Sequence, residues 1–537
     1  MDLTFRRTDP ARPEPADGGR SAPLPRAATA PEAGTSRRLR WAAIAVLFLG
    51  VVARFATASD FWLDEVLTVN LARVPLADLP DALRRDGAPP LYYALLHLWM
   101  RVFGEGTFAV RALPGLFAVG SLPLMWLAAR RLGSERLAWT ATLVLAAGPF
   151  ATRYATENRM YSLVMVEVLA GFLAVHSLLN GGGRRPALGL AAATGALLLT
   201  HYWAFYLLAA AGVLLFVLVR RGAEPARSGA RRSLMAMAAG SLLFLPWAPV
   251  FLYQLRNTGT PWGRPGELRS MFDTVFHFAG GYWNPGIILG LIYFGLIALA
   301  VTARSLDGRR LLVELRAHPP ASALAGVAFG TLALAIVATT LGGSAFAVRY
   351  AAVLYPLVVL VVALGLDVFT DHRAHAGILA VAVTLGFWAN VPNIVGNRTN
   401  ASKVASELNE LGRTGDLVVY CPDQLGPSVS RLVENEGLVQ FGFPRQNPPH
   451  LVDWVDYEEV NTAARTSTFA QMLDERAGPT NSVWIVWAPG YKTYGTKCQN
   501  LIERLGEARP DYDRVVTIST RFFERPGLVR FPPAAAG

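Results

Sequence analysis

DFWLDEVLT, Asp60 to Thr68, follows the first long apolar run of the chain, so its acidic pair Asp64-Glu65 stands where a membrane helix has just emerged into water. Ionisable groups at a membrane face are costly to hold and mark functional positions more often than accidental ones. With Phe61 and Trp62 beside it, the pair reads as a carboxylate held at the lipid interface, able to act on a molecule dissolved in the bilayer. A solvated loop opening an amphipathic helix fits these nine residues equally well. Where the other charged motifs fall decides between the two.

The chain has 537 residues, 53% of them hydrophobic and only 17% charged, with a mean hydropathy of +0.33. Soluble domains carry about 25% charged residues, so much of this chain is solvated by lipid. The formal charge of +11 would suggest nucleic acid in a soluble protein. Here the arginines collect in short loops between apolar runs, which is the pattern of membrane orientation, and no nucleic-acid partner is expected. No zinc spacing, Walker glycine loop or GxSxG motif is present. Two cysteines, Cys421 and Cys498, exclude a disulfide scaffold and leave room for one bridge.

Residues 1–36, rich in Pro, Ala, Gly and Arg, have too few large apolar residues to fold and read as a disordered basic tail. The run at about 41–58 is long enough to cross a bilayer and is preceded by Arg37, Arg38 and Arg40, which places the N-terminus in the cytoplasm and Asp64 outside. The apolar segment PPLYYALLHLWMRVFG, Pro89 to Gly104, is short for a span. Reading it as an interfacial or re-entrant helix anchored by Tyr92, Tyr93, His97 and Trp99 keeps the arginines of the Arg130–Arg136 loop inside. The remaining spans then alternate at about 108–129, 137–152, 160–179, 187–200, 203–219, 233–252, 285–303, 320–341, 350–369 and 376–395, making roughly eleven helices in all. The cytoplasmic loops hold Arg184 and Arg185, then Arg220, Arg221, Arg227, Arg231 and Arg232, then Arg304, Arg309, Arg310 and Arg316. The apolar stretch from Pro186 to Arg221 is too long for one helix and is expected to break at Thr200-His201-Tyr202-Trp203.

Past Gly396 the composition changes, and residues 397–537 read as an extracytoplasmic α/β domain beside the membrane unit at 37–396. ASKVASELNEL, DLVVYC, a helix from about Ser428, SVWIVWA, a helix near Lys497–Leu505 and RVVTIS alternate helix and strand, which implies a parallel or mixed sheet. In an oxidising compartment Cys421 and Cys498 could pair; nothing in the sequence fixes their separation, and two unpaired thiols fit as well.

With this orientation four motifs converge on one membrane face: Asp64-Glu65, the turn RYATENRMYS from Arg153 to Ser162, Thr200-His201-Tyr202-Trp203, and Ala347-Val348-Arg349-Tyr350. Taken singly, each of the last three is also explained as an interfacial anchor. Together they describe a site able to hold a lipid phosphate. Arg153, Arg159 and Arg349 offer forks of donors suited to phosphate oxygens, a carboxylate serves for proton transfer, and Tyr161, His201, Tyr202 and Tyr350 suit a sugar or a lipid chain.

The order of motifs over residues 41–395 resembles the polytopic GT-C glycosyltransferases: an acidic pair after the first span, Pro-Pro-Leu-Tyr-Tyr, a Phe103-Gly104 turn leading to Arg111, an acid followed by RMY, and a late Arg-Tyr. The nearest group is the bacterial family 39, relatives of protein O-mannosyltransferases and of the lipid A aminoarabinose transferase. The resemblance implies inverting transfer of a sugar from a polyprenyl-phosphate carrier to a glycan, lipid or protein acceptor on the extracytoplasmic face of the plasma membrane. It casts Asp64 as general base, Glu65 as its acidic neighbour with a structural or substrate-orienting role, Glu157 as a second-loop acid and Arg349 as the holder of the carrier phosphate, helped by Arg153 or Arg159. Some relatives use a divalent metal, for which no cluster in this sequence calls. The domain after Gly396 is not expected in the better-known relatives. The rival reading is a transporter or flippase of lipid-linked sugars; against it, no charge in the middle of one helix pairs with another across two halves, and no matching Gly/Pro-interrupted segments are seen.

Overall fold

The computed structural model describes residues 33–260, 263–307, 310–313 and 319–533. The expected tail therefore lies outside the described residues up to position 32, and so do Arg309 and Arg316.

Each expected span falls on a helix: Ala33–Ala53, Thr107–Leu132, Glu135–Ala147, Tyr161–Leu179, Arg184–Thr200, Ala204–Arg221, Ala226–Ser241 continuing to Asn257, Asn284–Thr302, Pro319–Gly342, Tyr355–Asp367 and His372–Val395. Seven of these are long and apolar enough to cross a membrane on their own. The shorter ones have local causes. Pro149 ends the Glu135 helix at Ala147 and opens a second piece, Pro149–Ala155, because proline suits a first helical turn and not an interior. Pro246 lies in the tighter turns Leu242–Trp247 inside the Ala226–Asn257 span. The long Pro186–Arg221 stretch breaks at His201–Trp203, as expected. Apolar side chains such as Phe48, Val213, Phe216, Leu243, Leu291 and Val337 remain exposed around the bundle, where lipid would cover them.

Three short helices, Leu63–Arg73, Leu79–Asp86 and Leu91–Phe103, lie between the first and second long ones. Leu91–Phe103 is 13 residues, about 20 Å at 1.5 Å per residue, and cannot cross a hydrocarbon core of about 30 Å. It buries Tyr92, Tyr93 and His97 and ends at Gly104, whose φ of 78° favours glycine. Leu63–Arg73 carries the acidic pair. Eleven residues are too few for a helix to persist alone, and packing holds this one from both sides. Val66, Val69 and Leu71 belong to the core of the membrane bundle, whereas Trp62, Leu63 and Leu67 belong to the core of the α/β domain. Full burial of each such side chain is worth on the order of 1.5–3 kcal/mol, enough to fix so short an element.

The α/β domain is built on a five-stranded mixed sheet with the strands in the order Val439–Gly442, Leu417–Cys421, Val483–Trp487, Gly527–Phe531, Asp513–Val516. The first three pair in parallel and the last two run antiparallel to their neighbours. The helix expected from Ser428 is only the short turn Gly426–Ser430. The Asn409 side chain accepts the backbone N–H groups of Glu434 and Asn435, at 2.8 and 3.4 Å, and so favours a turn there. Cys421 and Cys498 are joined in a disulfide, with Cα atoms 5.4 Å apart.

Candidate active site

The short acidic helix starts at Leu63, so Asp64 and Glu65 both lie in its first turn, about 100° apart around the axis at 3.6 residues per turn. They therefore face different neighbours. Glu65 turns inward and is fully buried. Arg111 meets it with two parallel hydrogen bonds, Nε to Oε1 at 2.7 Å and Nη2 to Oε2 at 2.6 Å, and also donates to the Ser59 carbonyl. Arg398 Nη1 lies 3.5 Å from Oε2, and the Asn158 amide donates to Oε1 at 3.0 Å. Burial works against ionisation of Glu65, but Arg111, with Arg398 and the Asn158 N–H, outweighs it and holds the carboxyl below its usual range.

Arg398 continues the chain of charges. Its Nη1 lies 3.8 Å from Glu157, and the same side chain donates to the carbonyl and hydroxyl of Thr156. Glu157 is itself 3.1 Å from Arg153. Burial first and the nearby Arg153 second lower Arg398 to about 10, so it stays charged at neutral pH. Glu65 and Glu157 are thus internal counter-ions, with 0% and 1% of their side chains exposed.

Asp64 turns the other way. Its side chain is 15% exposed, and its Oδ2 lies 3.6 Å from Arg349 Nη2, on a guanidinium that is 20% exposed. That oxygen has no hydrogen-bond partner among the described residues. Arg349 stands in the turn Val348–Val353 before the Tyr355 helix, near the rings of Trp62 and Tyr350. Arg159 approaches from the second loop, donating to Thr68 Oγ1 at 2.9 Å and reaching the Asp64 carbonyl and the Tyr93 hydroxyl at 3.5 Å. Tyr93 in turn donates to Asp86, whose carboxyl is raised mainly by burial. Behind Arg349, His201 packs between Tyr161 and Tyr350, with ring centroids 5.8 and 5.3 Å away. Burial, with Arg159 and Arg349, lowers His201 to about 3, so its imidazole is neutral.

The structure therefore brings Asp64, Arg349, Arg159, Tyr350, Tyr161 and His201 together, and joins Glu65, Glu157 and Arg153 behind them through arginines. Tyr202 is not brought to this cluster. Its hydroxyl is taken up by Gln254 and by the Trp247 indole, and its ring packs on Phe251. Sequence reasoning missed Arg398, which lies just past the last span in a stretch assigned to the α/β domain. It also missed Asp86, the last residue of the short helix Leu79–Asp86, and saw Arg111 only as the end of a turn motif. Among the described residues no three His, Cys, Asp or Glu side chains stand close enough to share a metal ion. With Glu65 and Glu157 held by arginines, the donor set at Asp64 does not fit a divalent cation.

The basic turn at Arg184 and Arg185 lies at the far end of the bundle. Arg184 and Arg185 open a 17-residue helix that ends beside His201, a separation of about 25 Å at 1.5 Å per residue.

A family model described as Dolichyl-phosphate-mannose-protein mannosyltransferase matches residues 87–253, less than half of the chain. No curated protein sequence matches the chain. Among solved structures it is similar to ArnT from Cupriavidus metallidurans bound to undecaprenyl phosphate, with a TM-score of 0.56 at 14% identity, covering 94% of this chain and 100% of that one. The apo state of the same protein gives 0.55 at 15% identity, covering 93% and 98%. The archaeal oligosaccharyltransferase AglB from Archaeoglobus fulgidus, in complex with an inhibitory peptide and a dolichol-phosphate, gives 0.51 at 12% identity over 83% and 70%. At such identities the likeness is one of fold. The ArnT match leaves too little of this chain uncovered to omit the α/β domain, which corrects the expectation that this domain sets the chain apart from better-known relatives. This chain therefore shares the GT-C fold seen in ArnT: a bundle of apolar helices, seven of them long enough to cross a membrane among the described residues, with a C-terminal α/β domain.

Proposed function

We propose that the chain is an inverting glycosyltransferase that moves a sugar from a polyprenyl-phosphate carrier to an extracytoplasmic glycan, lipid or protein acceptor. The observation that carries this reading is the pairing of Asp64 with Arg349: a partly accessible carboxylate with an unfilled acceptor position, beside a guanidinium, at one end of an apolar bundle. Asp64 takes the proton of an acceptor hydroxyl as that oxygen bonds to the anomeric carbon. The bond from that carbon to the phosphate oxygen breaks, and its electron pair leaves on the carrier phosphate. Arg349, with Arg159 near it, stabilises the charge that develops there. Glu65 and Glu157 hold Arg111, Arg398 and Arg153 in place and transfer no proton.

The disulfide between Cys421 and Cys498 supports an oxidising compartment for the α/β domain. The basic turn at the far end of the bundle supports a cytoplasmic location for that end. ArnT and AglB were solved with undecaprenyl phosphate and dolichol-phosphate respectively, which is in keeping with a lipid-phosphate donor here. The test is transfer of labelled sugar from polyprenyl phosphates by the purified full-length chain in detergent. Turnover without a second compartment supports an enzyme; accumulation of sugar only in sealed vesicles, with no covalent product, supports a transporter.

A further inference from the structure

The N-terminus of the acidic helix is closed by a residue from the far end of the chain. Leu63, the first helical residue, donates its backbone N–H to Glu524 Oε1 at 3.2 Å. The residue before the helix, Trp62, supplies no side-chain cap of its own. Phe523 meets the Trp62 ring edge-on at a centroid distance of 5.2 Å, and Trp62 is the ring that lies 6.0 Å from Arg349. The Glu524 backbone N–H donates to the Arg398 carbonyl at 2.9 Å, and Glu524 forms a bridge with Thr399. The segment before the last strand of the α/β domain thus touches both the helix that carries Asp64 and Glu65 and the backbone of the arginine that links Glu65 to Glu157.

We propose that Glu524 is a positioning residue for transfer: the α/β domain uses its carboxylate to hold the first turn of the acidic helix and so to set Asp64 against Arg349. The inference rests on the reading of Asp64 as the base. A carboxylate at a helix N-terminus fills an amide that has no partner within the helix and opposes the positive end of the helix dipole. A placement error of about 1 Å at a reacting group can cost on the order of 100-fold in rate, so a cap on an eleven-residue helix has direct leverage on turnover. Burial raises Glu524 to about 7. The groups facing it are Asp64, which raises it further, the hydroxyls of Thr399 and Ser428 and the Leu63 amide, which lower it, and the Tyr491 ring after the central strand. The ionised, stronger cap therefore forms as pH rises through neutrality.

The experiment compares wild type, Glu524→Ala, Glu524→Gln and Asp64→Asn as full-length proteins. Transfer is measured between pH 5.5 and 8.5 with labelled mannosyl, glucosyl and arabinosyl undecaprenyl phosphates, and hydrogen–deuterium exchange is followed over residues 60–68. Glu524→Ala is expected to lower kcat about 10- to 100-fold, to leave the donor KM within about twofold because no donor-binding side chain is removed, and to speed exchange at the first turn. Glu524→Gln keeps an acceptor oxygen but no charge, so its rate should stay near the low-pH level of wild type and lack the rise near pH 7. Wild-type kcat, pH profile and exchange in Glu524→Ala overturn the proposal. If Glu524→Ala fails to fold, the near-isosteric Glu524→Gln decides: an unchanged pH profile in it overturns the proposal. Should Asp64→Asn transfer normally, the reading of Asp64 fails by itself, and faster exchange in Glu524→Ala would then show a cap without a catalytic role, which also overturns the positioning claim.

Discussion

Arg349 and Asp64 meet at 3.6 Å although one precedes the tenth expected span and the other follows the first. The turn Val348–Val353 and the short acidic helix are brought to the same end of the bundle. If Arg349 holds a carrier phosphate, Arg349→Ala should lower kcat/KM about 100-fold, since charge-assisted hydrogen bonds are worth on the order of 1.5–3 kcal/mol each. Arg349→Lys should recover only part of this because one ammonium cannot reproduce a planar fork. Titration of undecaprenyl phosphate into both variants checks the order.

Glu65 should behave as a structural acid. Its removal by Glu65→Gln leaves Arg111 and Arg398 buried beside a neutral group, a class of change that costs about 3–5 kcal/mol. The expected result is a clear drop in thermal stability, measured by tryptophan fluorescence, before any effect on chemistry is read. The sign with pH follows from a depressed carboxyl: its contribution is fully present above the unfolded value of about 4.3 and is lost as pH falls through the lower folded value.

His201 supplies the opposite test. Burial keeps it neutral down to about 3, so it should contribute no limb to the rate profile between pH 5.5 and 8.5. Stability should fall as pH drops below about 6.5, where the unfolded imidazole takes up a proton that the folded one refuses. His201→Phe, which keeps a ring between Tyr161 and Tyr350, should leave the rate profile in place and weaken that acid sensitivity of the melting temperature.

Much of this arrangement was legible in the sequence because bilayer and water impose simple rules. Apolar runs of sufficient length gave the helices, arginine-rich loops gave their alternation, and the acidic pair, RYATENRMYS and Arg349 fell at one face in consequence. What escaped was side-chain direction. Asp64 and Glu65 are adjacent in sequence, yet helical rotation sends one to Arg349 and the other to Arg111. Arg398 and Glu524 escaped for another reason: both sit in the segment read as a separate soluble domain, and only tertiary packing shows that Trp62, Leu63 and Leu67 are part of that domain's core. Tyr202 was grouped with His201 by adjacency, whereas the backbone break there turns it toward Gln254.

The bridge between Cys421 and Cys498 closes a loop with a sequence separation of 77. Loop-closure entropy alone puts its contribution at about 4.5 kcal/mol. Cys421→Ser with Cys498→Ser should therefore lower the melting transition of the α/β domain and speed its limited proteolysis, while the helical far-UV signal of the membrane unit stays unchanged.

The most direct test of the account is sugar transfer by Asp64→Asn. This substitution keeps shape and one acceptor oxygen but removes the charge that would take the acceptor's proton. With the melting temperature and undecaprenyl phosphate affinity near those of wild type, the account predicts that labelled transfer in detergent falls by about 100-fold or more, in line with loss of a general base. Turnover at the wild-type rate in the folded variant would contradict it.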